Sequence, residues 1–75
     1  MDFTFGSIKE DACYIEIVNP TIDGILCLKK SDISGIVRQG EIVGVITTSG
    51  KGENMTCADV KEAMIVYEYL RNVTV

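Results

Sequence analysis

The stretch closest to a recognisable chemistry is GVITTSGKG, from Gly44 to Gly52, in which Thr48, Ser49 and Lys51 stand among glycines. A Walker-type phosphate loop has four residues between its glycines and a Ser or Thr directly after the lysine, to hold magnesium. Here five residues separate Gly44 from Gly50, and Gly52 takes the hydroxyl position. Phosphoryl transfer at this loop is therefore not expected. A smaller chemistry survives the mismatch, because successive amides in a glycine turn can form a nest for an anion. Thr48, Ser49, Gly50, Lys51 and Gly52 are accordingly a candidate site for a small anionic ligand or nucleotide, held by the Ser49 to Asn54 turn at a subunit interface. A plain hairpin is the competing expectation.

Other routes to catalysis are poorly supplied. The chain has no histidine, which removes the side chain best suited to proton transfer near neutrality and the commonest nitrogen ligand for metals. Glu10 and Asp11 fall in an expected turn, and Asp23, Asp32, Glu41 and Glu53 are scattered over loop and strand ends, so no carboxylate pair is set up for acid and base roles. Cys13, Cys27 and Cys57 cannot all pair within one chain and show no CxxC spacing. No metal or other cofactor is expected, and free thiols suit a reducing cytoplasm. Cys57 stands near an expected helix N-terminus, where the dipole can lower a thiol's pKa. With no neighbouring cation specified to assist it, Cys57 reads as a small inert residue, and Cys13 and Cys27 read as inward strand positions packed in the core.

The bulk composition bounds the rest. Seventy-five residues make a single domain, 1–75, and a domain of this size hides only about 60% of its unfolded surface, so self-association would add useful stability. Apolar residues form 47% of the chain, enough for a core throughout. The net charge of −4 disfavours nonspecific nucleic-acid binding, which depends on Lys and Arg replacing counterions. The stretch from Lys29 to Lys51 is nevertheless +2, with four cations against Asp32 and Glu41, which leaves room for a local anion site. An acidic mimic of nucleic acid is a weaker reading, since the acids form no continuous run. Tyr14, Tyr67 and Tyr69 lack the basic groove that would make them platforms for bases. No apolar run approaches the roughly 18 residues that span a bilayer, and no basic start with an apolar run marks a secretion signal. A soluble cytoplasmic protein is expected.

The elements that must position these residues read as α+β: a small antiparallel sheet of about five or six short strands with one C-terminal helix packed on it. Asp2 to Ile8 places Phe3 and Phe5 at period two, and Ala12 to Val18 alternates through Cys13, Ile15 and Ile17, which together read as a hairpin. Asn19 and Pro20 break the ladder, Asp23 and Gly24 turn the chain, and Ile25 to Lys30 follows as a strand. Ile33 to Val37 reads as a short strand or a single turn of helix, with the strand preferred. Glu41 to Ser49 concentrates β-branched residues and should be central, with Glu53 to Thr56 returning after the glycine turn.

From Val60 to Val73 the period becomes helical, with Thr56 and Asp59, or Asp59 and Glu62, as capping pairs. Val60, Ala63, Met64, Val66, Tyr67, Leu70 and Val73 fill about half of the wheel and should face the sheet. Ile65 and Tyr69, one turn apart, fall among Lys61, Glu62, Glu68 and Asn72. Two large apolar residues on a polar side imply a covering surface, with Val66 and Val73 at its margin. The part from Ile25 onward resembles the small proteins of the flagellar-operon FlbD type, through Leu28, Asp32-Ile33, Ile36, Val45 to Thr47, Gly50 and the helix start at Val60. That resemblance implies only a strand, hairpin and terminal helix. The function expected is that of a small non-catalytic binding or regulatory module, of adaptor or inhibitor type, acting through self-association and a protein partner.

Overall fold

The computed structural model describes residues 1–74. In chain order the elements are β1 (Asp2–Phe3), β2 (Gly6–Glu10), β3 (Tyr14–Val18), β4 (Ile25–Lys29), a 3₁₀ turn (Lys30–Asp32), β5 (Ile33–Gln39), β6 (Ile42–Thr47), β7 (Gly52–Thr56) and helix α1 (Val60–Val73). The chain is α+β, with its strands divided between two antiparallel sheets ordered β1-β2-β3-β4 and β5-β6-β7. The expected single sheet of five or six strands is thus seven strands in two sheets. Two features account for the difference: the 3₁₀ turn separates β4 from β5, and the N-terminal segment contains a turn within it.

That turn corrects the reading of Asp2 to Ile8 as one strand. The chain reverses at Thr4 and Phe5, and Phe3 pairs with Gly6. Only glycine fits at position 6, because a Cβ there would lie 2.1 Å from the carbonyl oxygen of Val18. Phe5 is left exposed, while Phe3 packs against the core.

The inward face of the first sheet is set by β3. Ile15 and Ile17 are fully buried, Ile17 lies between Ile8 and Leu26, and Ile15 lies beside Leu28. This pairing fixes the phase of β4, since side chains alternate across a strand. Leu26 and Leu28 turn inward, so Cys27 turns out. Cys13 falls in the turn between β2 and β3, and both thiols are exposed. The expectation that they pack in the core is corrected on that ground.

The β-branched run forms β6, central in its sheet, with Val43 and Val45 buried and Ile42 and Ile46 on the outer side. Ala63, Val66 and Leu70 of α1 meet these valines, Met55, Cys57, Ile22 and the isoleucines of the first sheet in one apolar cluster. Truncating Leu70 to Ala would cost about 2–5 kcal/mol at such a site.

Asp59 caps α1 by accepting the Glu62 N–H at 2.8 Å, while Glu62 reaches back to the Ala58 N–H at 3.0 Å. This is the second of the two expected capping pairs, with the return bond one residue earlier than in the standard box. The same carboxylate accepts the Thr4 N–H at 3.0 Å and the Thr4 hydroxyl. It fastens the first turn of the chain to the helix start.

Candidate functional site

The glycine turn is built by β6 and β7. Gly50 has φ of 87°, a left-handed conformation suited to glycine, and the Thr47 N–H donates to the Lys51 carbonyl at 2.8 Å. Much of the turn's donor capacity is spent internally. The Gly50 N–H donates to Thr47 O at 2.9 Å, and the hydroxyls of Thr47 and Ser49 bond each other at 2.9 Å. Gly52 is the first residue of β7.

Thr48, Ser49 and Lys51 line a cleft of about 330 Å³ together with Leu26 to Lys29 of β4, Asp32 and Glu53. The sequence did not pair this turn with β4. All the residues that line the cleft come from one chain. Lys29 and Lys51 bring two positive charges, but Asp32 and Glu53 bring two negative ones. A small anion would therefore meet little net attraction beyond the local hydroxyls and amides.

The helix presents a different kind of surface. Ile65 is 54% exposed, as its place on the wheel predicts. Tyr69 and Val73 are half-buried and pack against the core. Val66 is fully buried and belongs to the core rather than to any contact surface. Two residues expected to face the sheet are instead open, Met64 at 52% and Val60 at 48%. The buried stripe is turned by about 50° from the expected one, towards Tyr69 and Glu62, at 100° per residue. Exposed apolar residues consequently flank the outer face of α1 on both sides of Lys61 and Glu68.

Cys57 is buried just before the helix. Burial pushes its thiol up, and the charges of Glu62 and Asp59 push it further the same way. It is a protonated core residue in place of an activated nucleophile. Among the described residues, no group of three or more His, Cys, Asp or Glu side chains is placed to hold a metal ion. Likewise, no helix there is long and apolar enough to cross a membrane.

A further polar centre escaped the sequence reading. Asn19 is buried, accepts the N–H of Thr21 at 2.8 Å and its hydroxyl at 2.6 Å, and donates to the Thr56 carbonyl at 3.2 Å. The Thr21 hydroxyl oxygen in turn accepts the Thr56 N–H at 3.1 Å. The Asn-Pro-Thr sequence announced a turn but gave no sign that it would clamp a strand near the other end of the chain. No family model matches the chain, and no curated protein matches it. The geometry alone must therefore carry the functional reading.

Proposed function

We propose that the chain is a small non-catalytic binding module, of adaptor or inhibitor type, which works in a reducing cytoplasm by associating with itself and with a protein partner. The observation that carries the reading is Ile65, more than half exposed on a helix whose opposite side is anchored in the core. With Met64 and Val60 nearby, it supplies apolar contact area, and Lys61, Glu68 and Arg71 supply a polar rim. The double variant Met64→Glu with Ile65→Glu tests the helix face without disturbing buried atoms. Its thermal melting should match the parent. A partner isolated on the parent and then purified should bind the variant at least tenfold more weakly. If every purified partner binds both forms equally, the helix is not the contact surface.

A second reading draws on the cleft at the glycine turn, where Lys51, Thr48 and Ser49 stand beside Lys29. A nucleotide or phosphate bound there would raise the melting temperature through mass action, and Lys51→Ala would remove the rise. A flat response to phosphate, nucleotides and cyclic nucleotides would eliminate this reading.

A further inference from the structure

We infer that β4 is a self-pairing edge, through which two copies of the chain join their four-stranded sheets antiparallel about a two-fold axis at Cys27. The phase of the β3–β4 ladder carries the inference. Lys30 donates its backbone N–H to Cys13 O at 2.7 Å, and bonded pairs alternate along an antiparallel ladder. With Ile15 opposite Leu28 and Ile17 opposite Leu26, the even residues of β4 are the ones bonded to β3. The backbone groups of Ile25 and Cys27, and the N–H of Lys29, therefore point away from the sheet. β4 is the last strand of that sheet, and the 330 Å³ cleft runs beside Leu26 to Lys29.

Open strand edges are templates for pairing, and folds usually blunt them. The other three edges are each protected at least in part. β1 has only two residues, β5 carries a register shift near Ser34 and packs under α1, and Thr56 of β7 is held by Asn19 and Thr21. β4 has five residues in unbroken register and no proline.

The sequence of β4 selects a second copy as occupant. Ile-Leu-Cys-Leu-Lys reads nearly the same in both directions about Cys27. Antiparallel pairing there sets Leu26 opposite Leu28 of the second copy and Ile25 opposite Lys29 of the second copy. Like charges do not meet, the outward groups of the two Cys27 residues face each other, the Lys29 N–H faces the Ile25 carbonyl of the second copy, and the half-buried leucines gain cover. The register also carries Asp23 of the second copy towards the end of β4 where Lys29 and Lys51 lie.

This seam rests on reading the chain as an association module but uses a surface separate from α1. Sedimentation equilibrium from about 10 µM to about 1 mM, a range suited to a small interface, should show a dimer for the parent and for the Met64→Glu, Ile65→Glu variant. Cys27→Pro removes an N–H that β3 does not use and should leave a folded monomer. Ile25→Lys places lysine opposite Lys29 of the second copy and should weaken the dimer at least tenfold with the backbone intact. Amide exchange at Cys27 should slow as protein concentration rises, while Leu26 and Leu28 stay protected throughout. Fast exchange at Cys27 at every concentration, or dimerisation unchanged in both edge variants, overturns the seam. A dimer lost only in the helix variant would overturn it too while leaving the helix reading in place.

Discussion

The edges of β7 and β4 show opposite treatments of the same problem. At Thr56 the outward N–H and C=O of β7 are each bound by a loop side chain, Thr21 and Asn19. At Ile25 and Cys27 the ladder phase turns the equivalent groups of β4 away from β3, and Cys27 lines the cleft. The difference teaches that edge groups are satisfied locally, residue by residue, and that a turn distant in sequence can occupy the end of one edge and not the next.

The comparison is broken most severely by moving a proline one position along β4. Leu26→Pro removes an N–H that bonds β3 and should cost about 3 kcal/mol or more, whereas Cys27→Pro should cost about 1 kcal/mol. Equal losses in urea unfolding would mean that the assigned ladder phase is wrong. Opening the guarded edge comes next: Asn19→Ala leaves Thr56 O and the Thr21 groups without their buried partner, at about 2–3 kcal/mol. Thr21→Val keeps the shape but drops the hydroxyl, for about 1 kcal/mol in the same assay. With either variant, the Thr56 amide should exchange as readily as that of Cys27 in a monomer.

Acid gives the smallest effect. The N–H groups of Cys13 and Tyr14 hold the Asp11 carboxyl below its usual value, and the Thr4 hydroxyl followed by the Ala58 N–H do the same for Glu62. Their folded values lie under the unfolded ones, so unfolding takes up protons. The stabilisation is complete above the ordinary carboxylate range of about 4 and disappears as the pH falls through the lower folded values. Melting temperature should drop over that interval, and Asp11→Asn with Glu62→Gln should flatten the drop.

Much of the fold is legible in the residues. Helix α1 spans the predicted Val60 to Val73, and the β-branched run at Ile42 to Thr47 becomes a central strand. What escaped prediction was phase. Ile25 to Leu28 is apolar at every position, so alternation cannot say whether Cys27 or its neighbours face inward; pairing of Leu26 with Ile17 decides it. The same ambiguity applies to α1, where Val60 and Met64 flank one side of the stripe and Tyr69 the other, and it is Tyr69 that packs against the core. The glycine turn was placed correctly along the chain, but its neighbours in the cleft come from β4, which no local pattern reveals.

Glu62 links residues 58 positions apart through its bonds to Thr4. Closing so long a loop costs chain entropy before the bonds repay it, and the fastening is expected to form late in folding. Cutting it with Thr4→Val should hasten escape from the native state and leave the rate of arrival nearly unchanged. The carboxylate that starts the helix would thereby also slow the opening of the finished molecule.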